Sequence, residues 1–205
     1  MVRRQQLLRP GDIAGNKTKY PLLRYLCCMK RLLILLLPFI IIAGGCDETG
    51  KAGKIPVTGT VTIENTLYGS GPYYTNGFNF ANAEITSSLA TPKPDVTIYF
   101  DDTQELFILQ TEAGLNGFFL QGEYADETSA KAAFNNLTAH SVSDWEDWAN
   151  PVRPNQVWLY RSASEHYAKL RIVSVSFTAM DPRDYAECTF EWAYQPDGSK
   201  TFPGK

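Results

Sequence analysis

The chain reads as mainly β: an antiparallel, β-rich single domain with one short helix. Three observations predict it. Short runs of β-branched and aromatic residues recur along residues 56–205, separated by Gly, Pro, Asn and Asp. Within the runs apolar side chains alternate, as Val96, Ile98 and Phe100 do against Thr97 and Tyr99. A single stretch, residues 129–137, has instead the composition and three-and-four spacing of a helix.

Taken in order, residues 57–64 put Val57, Gly59, Val61 and Ile63 on one face of a first strand. Phe78 and Phe80 open a second run that continues towards Ile85. Residues 95–100 form a third, and Asp101-Asp102 turns it into a fourth at residues 106–109. In the helix, Asp126 and Thr128 are candidate N-caps, and Ala130, Ala133, Phe134 and Leu137 share the face that packs on the sheet. Residues 156–161, 167–177 and 185–195 complete about seven strands. No internal repeat or second domain boundary interrupts the pattern.

Ahead of this domain, an eleven-residue apolar run from Leu32 to Ile42 follows Met29-Lys30-Arg31 and closes on Ala43-Gly44-Gly45-Cys46. A positive start, a short apolar segment and small residues before a cleavage point mark an export signal. The run is shorter than the roughly 20 apolar residues that a membrane-crossing helix needs. A cysteine directly after the small residues resembles the bacterial lipoprotein signal, with Ala43 standing where that pattern favours Leu. The resemblance implies that Cys46 carries a diacylglyceryl group, with fatty chains such as palmitate, and becomes the mature N-terminus. An ordinary secretory signal and a buried core segment are the competing readings of the run. On the lipoprotein reading translation starts at Met29, residues 1–28 are a mis-assigned extension, and 29–45 are the signal peptide. Residues 46–55, rich in Gly and charge, are then a flexible tether, and 56–205 are the folded domain.

This division changes the meaning of charge and cysteine. The whole chain carries a net −3, but from Cys46 onward 11 basic residues face 21 acidic ones. Nucleic acid, which is bound by clustered Lys and Arg, is therefore excluded as a partner, and the domain is repelled by the anionic headgroups beneath it. With Cys27 and Cys28 removed and Cys46 acylated, Cys188 is the one free thiol, so the 160 residues from Cys46 rely on an apolar core. Cys188 alternates with Phe190, Trp192 and Tyr194, as a buried structural thiol does.

The last third of the chain carries a recognisable order of motifs. Val157-Trp158-Leu159-Tyr160-Arg161 is followed by Tyr167-Ala168-Lys169-Leu170-Arg171-Ile172, and then by the aromatic strand from Cys188 that runs into Tyr194-Gln195-Pro196-Asp197-Gly198. Upstream stand Phe78-Asn79-Phe80 and Asp95-Val96-Thr97-Ile98-Tyr99-Phe100, the latter preceded by Pro94 in place of a tryptophan. Together these resemble the HmuY-like family of bacterial haem-binding lipoproteins. The resemblance implies a lipid-anchored, β-rich, non-enzymatic binding protein of the cell envelope, on the outer membrane or cell surface. It further implies haem or a related porphyrin as ligand and an outer-membrane receptor as partner.

Haem iron takes His, Met, Cys or Tyr as axial ligands within an apolar pocket. His140 and His166 are the only histidines, so a bis-imidazole site can be built in one way, at one end of the sheet, with Met180 as substitute. The bland account, a surface or packing histidine, is the favoured one for each. Tyr73 and Tyr74, in a Gly-rich loop, and Trp145 and Trp148, in Asp144-Trp145-Glu146-Asp147-Trp148, are candidate ligand-contact aromatics. The bland account of the tryptophans is packing on the core. Residues 101–105 offer oxygens to Ca²⁺ but lack EF-hand spacing, so a charged hairpin turn is expected and no metal site is assigned. Nucleophile elbows, phosphate loops and metalloprotease motifs are absent from the sequence, which speaks for binding over catalysis. A glycan- or peptide-binding surface lipoprotein, and a structural envelope lipoprotein without a small ligand, are the alternatives. On the lipoprotein reading Cys46→Ser moves the protein from the membrane fraction to the soluble envelope fraction, and mass spectrometry of the native protein finds an acylated Cys46 and nothing before it.

Overall fold

The computed structural model describes residues 55–111, 117–181 and 183–202. The readings made of the extension, the signal peptide, Cys46 and the tether up to residue 54 lie outside the described residues. The elements are β1 (Thr58–Glu64), β2 (Asn76–Asn79), β3 (Glu84–Ser87), β4 (Thr97–Asp101), β5 (Leu106–Gln110), β6 (Phe118–Glu123), α1 (Glu127–Asn136), β7 (Trp148–Ala149), β8 (Gln156–Arg161), β9 (Tyr167–Thr178) and β10 (Tyr185–Gln195). The mainly β, antiparallel expectation with one short helix holds. β6 and the two-residue β7 are additions to the strands expected from sequence, and the run from Phe78 to Ile85 resolves into the hairpin β2–β3.

A five-stranded sheet in the order β1-β10-β9-β8-β6 is the frame. All its pairings are antiparallel. Against one face pack the β2–β3 hairpin and a three-stranded sheet, β4-β5-β7. The main core lies between them: Phe190 and Trp192 of β10, Leu170 and Ile172 of β9 and Trp158 of β8 meet Phe78, Val96, Ile98 and Leu109. Aromatic rings dominate it, with Phe80 placed between Tyr160, Phe190, Trp192 and Tyr194 at centroid distances of 5.2–6.4 Å. Cys188 is fully buried in this core, where burial pushes its thiol far up and keeps it protonated. At Gly77 a Cβ would collide with the Val96 carbonyl, so glycine is what lets β2 approach the chain just before β4.

The other face is covered by α1 and the segment after it. Alternation assigns neighbouring residues to opposite sides: Trp158 and Tyr160 belong to the main core, while Val157 packs with Phe134 and Leu159 with Trp145, Tyr167 and Phe202. Because both faces are covered, Gln156–Tyr160 of β8 and Tyr167–Ile172 of β9 are buried at every position, the signature of a sheet with no wet side. α1 starts at Asp126, whose carboxylate accepts from the Ser129 amide at 2.7 Å while the Asp126 amide donates to Ser129 Oγ at 3.4 Å, a reciprocal capping box. Its C-terminal turn has no basic residue of its own. The cation comes from β9: Lys169 Nζ donates to the carbonyls of Phe134 and Leu137 at 2.7 and 2.8 Å, with the Phe134 ring 4.7 Å away.

Lys169 is only 4% exposed. Lys169→Met keeps most of the stem but leaves two carbonyls without this donor, so it should cost about 2–3 kcal/mol in urea unfolding; a loss below about 0.5 kcal/mol would show that the contact holds little.

Candidate functional site

The segment leaving α1 is stitched to the C-terminal segment. Phe202 N donates to Thr138 O at 2.8 Å, His140 N donates to Lys200 O at 3.0 Å, and Ala139 bridges Thr201. This fixes the backbone of His140 against the helix face of the sheet. Its ring stands edge-on to Tyr167 at 4.6 Å and to Trp145 at 5.7 Å, and tilts on Phe202 at 6.0 Å. Both ring nitrogens, Nδ1 and Nε2, are buried and have no hydrogen-bond partner. Burial, and secondarily the charge of Lys200, lower the pKa of His140, so the imidazole is neutral at pH 7.

His140 forms part of the wall of a cleft of about 420 Å³, within the usual size of small-molecule sites. Phe119, Leu137 and Val142 supply apolar walls; Gln121, Ser143 and Asp144 supply polar ones. Phe119 and Gln121 come from β6, where the pairing with β8 shifts register between Leu120 and Gly122 and leaves Gln121 without an opposite residue. Such bulges re-aim side chains beside binding sites. The sequence reading omitted β6, and with it Phe119 and Gln121. The alternation Phe119, Gln121, Glu123 beside Phe118, Leu120 was the available signal, and it is blurred because both Phe118 and Phe119 are apolar.

The other expected site residues are spread over the fold. His166 reaches the same end of the sheet as His140, in the turn before β9, but its ring belongs to another cluster. Its Nδ1 lies 3.0 Å from Tyr194 Oη, and Tyr194 packs in the main core, whereas Tyr167, the neighbour of His166, packs with His140 on the helix face. Burial, and secondarily Asp95, push Tyr194 up to about 12, so its hydroxyl is protonated beside the imidazole. Met180 lies beyond the far end of β9, a strand of 12 residues, roughly 35–40 Å from either histidine. Trp145 is buried, with the Arg161 guanidinium 5.0 Å from its ring centroid, and is thus part of the nest around His140. Trp148 is 54% exposed on β7. Tyr73 is exposed at a loop tip and Tyr74 stacks on Tyr68 at 5.6 Å, both away from the cleft lining. Residues 101–105 form the expected hairpin turn, Asp101 accepting from the amides of Thr103 and Gln104 at 2.9 and 3.1 Å. Among the described residues no group of three or more His, Cys, Asp or Glu side chains is placed to hold a metal ion.

No family model matches the chain, and no curated protein matches it.

Two buried, unpartnered ring nitrogens carry a stability cost of about 1–3 kcal/mol. His140→Phe keeps an aromatic ring in the nest without them and should raise stability by about 1 kcal/mol. The pH dependence has a definite sign. With the folded pKa below the unfolded one, the unfolded chain takes up the proton first, so the wild type loses stability as pH falls through the ordinary imidazole range and regains it on return. Urea midpoints at about pH 7.5 and about pH 5.5 should therefore diverge more for wild type than for His140→Phe, and equal shifts would remove His140 as the cause.

Proposed function

We propose that this chain is a lipid-anchored binding protein of the cell envelope, of the HmuY-like kind, which holds a flat, largely apolar ligand, haem or a related porphyrin, in the cleft beside His140. The observation that carries the reading is the pair of buried, unpartnered nitrogens on an imidazole held neutral by its surroundings. An unsatisfied buried polar group calls for a partner, and a neutral imidazole is what a metal requires. His140, in the wall of the cleft, would be the residue to hold the iron, since His166 is engaged with Tyr194 in the other cluster. Haem, if bound, would supply an iron able to take an imidazole nitrogen as ligand.

Phe119, Leu137 and Val142 would seat the apolar macrocycle, and Gln121 and Ser143 would meet its polar edge. The backbone bond to Lys200 and the Tyr167 and Trp145 rings hold His140 in place, and haem binding would require one of its buried ring nitrogens to be uncovered from that nest. The role is capture and hand-off outside the cytoplasm to an outer-membrane receptor, without catalysis. No helix among the described residues is long and apolar enough to cross a membrane; the attachment proposed is the one through Cys46. Acyl chains there would contribute about 0.8 kcal/mol per buried methylene.

Haemin titrated into the full chain in detergent should give a saturable, red-shifted Soret band. His140→Ala should weaken it by at least about tenfold and His166→Ala by less than about threefold. Absence of any spectral change would overturn the reading, and loss confined to His166→Ala would overturn the assignment to this cleft.

A further inference from the structure

A second surface stands apart from the His140 cleft. In the β4-β5-β7 sheet the inner residues Ile98, Leu109 and Ala149 enter the main core. The residues between them point the other way. The register sets Tyr99 opposite Ile108 and Gln110 opposite Trp148, which brings the side chains of Tyr99, Ile108, Gln110 and Trp148 onto one outer face with Asp101 at its end. An antiparallel sheet with one wet side presents polar residues there. This one presents a tyrosine 40% exposed and a tryptophan 54% exposed, with Ile108 only 7% exposed between them. Together these five residues line a groove of about 190 Å³.

We infer that this groove binds a neutral oligosaccharide. Indole and phenol rings offer flat apolar faces with polar rims, which suits the C–H face of a pyranose ring, while its hydroxyls need donors and acceptors in the same plane. Gln110 supplies both kinds. Asp101 supplies acceptors, although its carboxylate already takes bonds from Thr103 N, Gln104 N and Gln104 Nε2. Trp148 and Tyr99 lie two strands and two residues apart, about 12 Å between backbones from strand spacing and rise, so a short chain of sugars spans them where a monosaccharide does not.

Two features select this occupant over others. From Cys46 onward 21 acidic residues oppose 11 basic ones, so sialylated, sulfated or phosphorylated glycans are disfavoured. A protein partner needs about 800 Å² per side, and this groove abuts a strand, β7, of only two residues. The groove lining contains no imidazole, thiol or thioether, which separates it from the haem reading.

The test is an array of neutral gluco-, manno-, galacto- and xylo-oligosaccharides, with sialylated and sulfated glycans alongside, probed with the full chain in detergent. Binding to a neutral oligosaccharide is expected, with affinity by calorimetry falling at least about tenfold in Trp148→Ala and in Tyr99→Ala and at least about threefold in Gln110→Ala. Trp148→Phe, which retains a stacking ring, should restore most of the affinity, and His140→Ala should leave it unchanged. Circular dichroism of each variant separates lost binding from lost folding. No neutral ligand on the array, a preference for anionic glycans, or undiminished binding in folded Trp148→Ala would each overturn the inference, and none of these outcomes bears on haemin binding.

Discussion

A buried ammonium holds the helix face together. Burying a cation is costly unless it is paired and hydrogen-bonded, and Lys169 meets that cost at the place where a helix is most negative. The last carbonyls of a helix run short of donors within it, and the helix dipole favours a positive charge there. Lys169 Nζ takes two of those carbonyls, Phe134 and Leu137, and lies 4.7 and 5.5 Å from the Phe134 and Phe202 rings. One side chain of the central sheet thereby fixes the end of α1 and lies against the C-terminal segment. The segment leaving α1, with its backbone bonds between residues 138–140 and 200–202, runs on directly from that junction. Leu137 belongs both to the junction and to the His140 cleft.

The opposite face is organised around Asp95 in a comparable way, but with a different chemical result. Asp95 accepts from the Phe80 amide at 2.8 Å and from Tyr160 Oη at 3.1 Å. Burial raises its pKa, and those two hydrogen bonds work against the rise. Phe80, anchored there, stacks on Tyr194 at 6.0 Å, and Tyr194 in turn meets His166. His166 therefore ends a run of contacts that is hydrogen-bonded at Asp95 and at Tyr194 and stacked between them, whereas His140 sits among rings with its nitrogens unanswered. Two histidines at one end of a sheet are chemically unlike because alternate residues of β9 and β10 face opposite layers.

The strands legible in the sequence were those whose alternation or aromatic content was strong. β4, β8, β9 and β10 emerged nearly whole, and α1 was found from its alanines and from Asp126. Less visible was what the tertiary context decides. β7 is two residues of Trp148 and Ala149 that pair with β5 only because the chain passes its edge; no two-residue pattern specifies a strand. β6 carries two adjacent phenylalanines, one for each layer, so its alternation disappears into a short apolar run. The same covering of both faces makes every residue of Gln156–Tyr160 buried, and the sequence does not say which of them face α1. Trp145 and Trp148 looked equivalent, yet one is nearly sealed beneath Arg161 and the other stands open on a sheet edge.

The two candidate sites occupy different layers. The His140 cleft lies on the helix side of the five-stranded sheet, and the Tyr99–Trp148 groove lies on the outer side of the three-stranded one, with the main core between them. Interior packing is dense enough to transmit strain only through elements that have two arrangements. The intervening core is instead a set of aromatic rings held by Asp95 and by antiparallel ladders. Changes at sites so separated, with no shared partner, add independently. A ligand in either place would thus leave the other unaltered, because the ladders and rings between the two sites offer no second arrangement for it to select.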